Sequence, residues 1–179
     1  MSSEEKKSIF KIRKATSADV SALAVLHVET FNETHGISPN GPTYEVRLVQ
    51  WQHAFQDEDA TWFCFVIEDD DGSLIGFAKG QRHNDIDHLE FSGELNKIYL
   101  LRKFHKLGLG RLLICNVAHE FLRQGIISML LFGDANNPSN RFYERMGGEK
   151  LFAKHGEFHG GYGWKDLQRL TIIWSTGEQ

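Results

Sequence analysis

The chain has 179 residues, 41% of them hydrophobic and 25% charged, with a formal charge of −4. That length suits one domain, residues 1–179 with a core over about 9–175, burying roughly two-thirds of its unfolded surface without staples. No apolar run approaches the ~18 residues of a membrane span, and the acidic balance disfavours nucleic acid as the main partner.

The opening stretch, MSSEEKKSIFKIRK, is charged and has no apolar signal core, so a cytoplasmic location is expected. Residues 1 to 7 read as a frayed tail. A strand over SIFKIRKA follows. Thr16 is then an N-cap, with Asp19 three residues on, and the helix behind it covers SADVSALAVLHVETF. A second helix is expected over TYEVRLVQWQHAF. TWFCFVIEDDDGSLIGFAKG reads as a hairpin about an acidic turn. Asp69, Asp70 and Asp71 lack the further ligand spacing of a calcium loop.

HLEFSGELNKIYLL is a further strand, bent near Gly93. A helix runs from about Gly110 to Arg123 and ends at Gly125, a C′ glycine. IISMLLF, nearly all apolar, suits a strand buried on both faces. Pro138 opens a short last helix over PSNRFYERM, with Asn137 as its cap. Two terminal strands are expected near KLFAKH and LQRLTIIWS. His155 and His159, among glycines, read as loop histidines rather than a zinc pair, and no metal is expected. Cys64 and Cys115 form no metal-type pair, and Cys115 reads as a core thiol. The resulting order, βααβββαβαββ, is an α/β fold: a mixed, mainly antiparallel sheet flanked by about four α-helices.

The stretch that asks for an explanation is HKLGLGR, residues 105 to 111. Two glycines one residue apart end a strand and open a helix. The first amides of a helix have no partners inside it, and the macrodipole adds positive charge there. Phosphates dock at such ends when no side chain stands in the way. Arg102, Lys103, His105 and Lys106 surround the loop. A nucleotide P-loop is excluded, because Arg111 and Leu112 follow Gly110. A dinucleotide fingerprint is excluded, because Leu113 stands where the third glycine belongs. A tight turn that binds nothing stays open on these residues alone.

ELNKIYLLRKFHKLGLGRLL resembles the coenzyme-A loop of the GNAT superfamily of N-acetyltransferases, Arg/Gln-x-x-Gly-x-Gly/Ala at the end of the fourth strand. His105 stands in the first place, followed by Lys106, Leu107, Gly108, Leu109 and Gly110. NNPSNRFYERMGG is similar to the second signature, Asn-x-x-Ala-x-x-Phe-Tyr-x-x-x-Gly, through Asn136, Ser139 in place of Ala, Phe142, Tyr143 and Gly147.

The resemblance implies acetyl-CoA as co-substrate, with direct transfer to a primary amine of a small molecule or peptide. It implies that the amides of Lys106 to Arg111 take the pyrophosphate, that the backbone of Ile98, Tyr99 and Leu100 pairs with pantetheine, and that Asn136 and Ser139 help hold that arm. It places Glu94 where several members carry a catalytic base, against a plain reading as a strand carboxylate. It places Tyr143 as general acid, against a packed helix tyrosine. Glu90, Asp134 and His88 are reserve bases. By element order, Phe31, His35, Trp51 and Tyr162 are assigned to an acceptor groove. A homodimer is compatible with the resemblance. The alternatives are a non-catalytic CoA-binding module and a toxin-type enzyme acting on aminoacyl-tRNA, the latter at odds with the charge.

Overall fold

A computed structural model describes residues 9–58 and 61–175, so the tail read for residues 1 to 7 lies outside it. The strands are β1 (Lys11–Lys14), β2 (Trp62–Glu68), β3 (Leu74–Arg82), β4 (Gly93–Leu100), β5 (Met129–Leu131), β6 (Glu149–Phe152) and β7 (Phe158–Trp164). The helices are α1 (Val20–His35), α2 (Tyr44–Gln56), α3 (Leu109–Arg123), α4 (Asn140–Arg145) and α5 (Leu167–Ser175). The strands form one sheet in the order β1-β2-β3-β4-β5-β7-β6. Every pairing is antiparallel except β4 with β5. This is the mixed, mainly antiparallel sheet expected from the sequence, with one more helix than expected.

Local chemistry accounts for the elements. The amide of Thr16 donates to Asp19 Oδ2 at 2.8 Å, a capping box ahead of α1. The hairpin turn closes through Asp69 N donating to Ser73 O at 3.0 Å, with Gly72 at φ +77°. Asp69 Oδ1 is spent on the amides of Asp71 and Ser73. α3 packs on the sheet through Leu113, Ile114, Val117 and Phe121, each fully buried. The close approach needs Gly80: a Cβ there would lie 2.5 Å from the Phe63 ring and 3.1 Å from that of Phe121.

The C-terminal quarter departs from the reading. LQRLTIIWS, expected as a strand, is helix α5. Leu167, Leu170 and Thr171 are buried at helical spacing, and Asp166 Oδ1 accepts from the amide of Arg169 at 3.0 Å. The β-branched run Thr-Ile-Ile misled, because helical burial against a neighbour outweighs weak strand propensity. The last strand is instead FHGGYGW, read as loop. His155 is in a turn, but His159 lies in β7. The glycines of β7 are packing residues: a Cβ on Gly163 would sit 2.3 Å from the Phe91 ring, and one on Gly160 2.4 Å from the Asp134 backbone.

One ion network ties α3 to β1. Glu120, 7% exposed, takes Arg123 at 2.6 Å and Lys14 at 3.0 Å, and Gln124 donates to it at 2.9 Å. These partners, Arg123 first, hold its carboxyl near pH 2, below the ordinary value of ~4.3. A depressed carboxyl stabilises the fold above its unfolded pKa and loses that contribution as pH falls through the folded one. The wild-type melting temperature should therefore fall more steeply between pH ~4.3 and about 2 than that of Glu120→Gln, measured by thermal unfolding. Parallel curves would remove Glu120 as a source of acid sensitivity.

Candidate active site

The site begins with a sheet that stops pairing. β4 and β5 share only two residue pairs, Gly93 with Met129 and Glu94 with Leu130. Beyond Glu94 the strands part, and the β5-facing edge of β4 has no strand partner. On its other side β4 stays paired with β3 up to Leu100. Asn96 is an extra residue there, since Gly80 pairs with Leu95 and Lys79 with Lys97. Such a bulge bends and twists a strand.

The gap between β4 and β5 is a groove. One half encloses about 300 Å³ and is lined by Thr34, His35, Asn96, Lys97, Phe132 and Asp134. The other half encloses about 750 Å³ and reaches Lys106, Gly108, Gly110, Arg111, Phe142 and Met146. Ile98, Tyr99, Leu100, His105, Ser139 and Tyr143 line both halves, so the groove is continuous.

The second half ends at the glycine loop. Gly108, the N-cap of α3, is left-handed at φ +80°, and no side chain caps the helix. Leu112 N donates to Gly108 O at 3.0 Å. The amides of Leu109 and Gly110, one turn earlier, precede the intrahelical ladder. Lys106 is also left-handed at φ +65°, a conformation a lysine adopts only when its surroundings impose it. The ring of His105 bonds the carbonyl of Leu100 at 2.8 Å and so ties the loop to the end of β4. On the opposite wall, Arg102 N donates to Glu33 Oε2 at 2.8 Å, and the Arg102 guanidinium reaches the Glu33 carbonyl. These bonds hold the end of α1, with Thr34 and His35, against the groove.

Tyr143 is 7% exposed and sits where the two halves meet. Its ring packs on Phe142 and Tyr162, both at 5.5 Å, and edge-on to Trp164 at 6.5 Å. Burial above all, then the nearby Tyr99 and Tyr162, pushes its hydroxyl pKa well above the ordinary value of ~10. At neutral pH the group is a proton donor. No group among the described residues holds that hydroxyl.

The sequence profile of the Acetyltransferase (GNAT) family matches residues 23–148, a span that carries the splayed strands, the loop and Tyr143. The chain belongs to the GNAT family of acetyltransferases. It is 29% identical over 170 residues to the N-acetyltransferase YuaI of Bacillus subtilis (strain 168), covering 90% of this chain and 96% of that one. Among solved structures, aminoglycoside N-acetyltransferase AAC(6')-Iy in complex with CoA shares its fold with a TM-score of 0.68. That match has 21% identity and spans 83% of this chain and 93% of the other. The acetyltransferase yncA of Salmonella typhimurium, solved with its cofactor acetyl-CoA, has a TM-score of 0.63, 19% identity, and coverage of 89% and 94%.

Within this GNAT acetyltransferase the residues singled out from the sequence fall into three groups. Ile98, Tyr99, Leu100, His105, Lys106, Leu107, Gly108, Gly110, Arg111, Ser139 and Tyr143 line the groove. Leu109 turns its side chain into the core, 5% exposed, and offers only its amide. Asn136 is exposed and outside the lining, whereas Asn137 lines the groove and accepts the Ser139 amide at 2.8 Å.

Glu94 is half-buried beside the groove, not in its lining. It accepts from Gln81 Nε2 at 3.1 Å and from Asn96 Nδ2 at 2.9 Å. Asp134 lines the groove, but its Oδ1 already takes the Asn136 amide at 2.7 Å. Glu90 is exposed, and His88 lies 3.8 Å from it, both outside the lining.

Two of the acceptor-groove assignments change. Trp51 is 3% exposed, packed among His27, Phe55, Trp62 and Phe77, a core residue. Tyr162 is fully buried under Tyr143, and its hydroxyl donates to Glu144 Oε1 at 3.1 Å. Large rings offer more apolar area than any other feature of their segments, and the core took it. His35 does line the groove, and Phe31 stacks on it at 4.5 Å. Sequence reading missed Thr34, Asn96 and Lys97. Their only signal was position on elements that turned out to flank the gap.

Proposed function

We propose that the protein transfers the acetyl group of acetyl-CoA to a primary amine of a small molecule by direct attack in the β4–β5 groove. The observation that carries this reading is the run of open β4 edge leading from the anion-binding loop to a buried, protonated tyrosine. The amides of Leu109 and Gly110 and the loop before them take the diphosphate. The β4 edge at Ile98 to Leu100 pairs with the pantetheine amides as an added strand. Ser139 and Asn137 close the arm from the other side.

The thioester then lies near Ile98, whose region supplies a backbone N–H to the oxyanion. One such donor is worth ~2.7–4 kcal/mol. An alkylamine with pKa ~10.4 is almost wholly protonated at neutral pH, so a base must take its proton first. Glu94, oriented by Gln81 and Asn96, does this through water, because it stands beside the groove. The amine nitrogen bonds to the carbonyl carbon, and the C–S bond breaks as the tetrahedral intermediate collapses. Tyr143 protonates the leaving thiolate and recovers the second proton shed by the amine nitrogen. The products are the amide and free CoA.

Three variants test the roles. Tyr143→Phe keeps the packing and removes the donor, so kcat should fall by roughly 10²–10⁴-fold with CoA affinity near normal. An unchanged rate removes Tyr143 as the acid. Glu94→Gln should displace the rising limb of the pH–rate profile toward the amine's own pKa; an unmoved limb demotes Glu94. Gly108→Ala meets only Arg111 Nη2, at 3.7 Å, and costs left-handed strain of ~1–2 kcal/mol, so it should fold. Gly108→Asp sets a carboxylate at the loop mouth, and calorimetry should then detect no CoA binding. Equal affinity in both variants would displace the diphosphate from this loop.

A further inference from the structure

The face of the sheet under α1 and α2 carries three cations that the acetyl-transfer chemistry does not use. The register sets Lys79 of β3 directly opposite Lys97 of β4. Like charges in that relation destabilise a sheet. The bulge at Asn96 makes the arrangement: Glu94 pairs with Gln81 and Lys97 with Lys79, so Glu94 and Lys97 share one face although three residues apart. Arg47 of α2 comes over the same face, close enough to lower the pKa of both His27 and Lys97.

The hydrogen-bond and ring partners of these three cations are neutral, and the one carboxylate acting on them among the described residues is Glu94, whose charge raises the pKa of Lys79 and Lys97. Lys79 Nζ lies over the Trp62 ring at 5.0 Å. Lys97 Nζ donates to Asn96 Oδ1 at 3.2 Å. The Arg47 guanidinium lies over the Phe31 ring at 5.6 Å and donates to Gln50 Oε1 at 2.8 Å, while its Nε is buried with no partner. Among the described residues none of the three makes an ion pair. Elsewhere Arg13, Lys14, Arg123, Lys150, Lys154 and Lys165 all find carboxylates. Burial lowers the pKa of all three cations, and in Lys97 the charges of Lys79 and Arg47 lower it further. Burying three cations against one carboxylate, itself held by Gln81 and Asn96, is costly. Lys97 and Asn96 line the groove, Lys79 and Arg47 stand outside its lining, and Lys97 immediately precedes Ile98, the residue assigned above to the thioester.

We infer that the amine acceptor carries an oxyanion, a carboxylate or phosphonate, and that Arg47, Lys79 and Lys97 receive it. The inference rests on the groove being the acetyl-transfer site. A small amino acid-like molecule fits: its anion seats on the cations while its amine meets the thioester. A polycationic amine is repelled.

The test has two arms. In the first, the CoA-saturated protein is titrated with inorganic phosphate and with acetate at constant ionic strength, followed by thermal shift. Saturable stabilisation is expected, weakened roughly 10–100-fold in Lys79→Gln and in Arg47→Gln, with CoA affinity kept. Both variants should melt no lower than wild type, since each removes a repelled charge. In the second, β-alanine is compared with its amide, and 2-aminoethylphosphonate with ethanolamine, as acceptors. The anionic member of a pair should be preferred in kcat/KM, and Lys79→Gln should erase the preference; the pair that responds identifies the oxyanion. No saturable anion effect, an equal effect in the variants, or a lower melting point with the anion effect intact overturns the inference. Anion binding that persists while no amine is acetylated upholds the cation site and counts against the proposed reaction instead.

Discussion

The separation of β4 from β5 after two residue pairs is the constraint on which the rest depends. Backbone amides and carbonyls left open in a sheet are strong, unspent hydrogen-bonding groups, and buried ones need partners. Here they are turned into a slot. The bulge at Asn96 bends β4 away, and β5 ends at Leu131, two residues before Gly133, which passes close to the Gly160 carbonyl. A continuous ladder would leave no groove, and the loop at residues 105–111 would face only solvent.

The loop and the tyrosine are both fixed to that slot. His105 fastens the loop to the last carbonyl of β4, and Arg102 fastens the end of α1 to the same corner. Tyr143 is fixed from beneath: Tyr162 supports its ring and in turn bonds Glu144 on α4. Tyr162 thus packs beneath Tyr143 and stays outside the groove lining. A burial that raises the tyrosine's pKa also holds its ring in one place.

Charge is distributed unevenly about this frame. Asp19, Glu68 and Glu120 are locked in ion pairs that join β1 to its neighbours. The cations on the α1/α2 face lie instead among rings and amides. The first arrangement stabilises the fold, and the second opposes it.

Local chemistry made much of the fold legible from the residues. The Thr16–Asp19 box, the acidic hairpin turn with Gly72, the apolar face of α3 and the C′ glycine Gly125 act over a few residues, and they read correctly. The glycine loop and the Phe142–Tyr143 pair likewise marked one end and the middle of the groove. Reading failed where distant packing decides. β7 is a strand because Phe91 and Leu151 lie against its glycines, and α5 is a helix because it docks on α3. Trp51 and Tyr162 went to the core for the same reason. Which residues face Lys97 depends on a bulge and a cross-strand register, both set by pairing between segments far apart in the chain. The amino-acid order alone determined a glycine loop that opens a helix; only the folded sheet, by parting two of its strands, decided which groove meets that helix and which charges lie beside it.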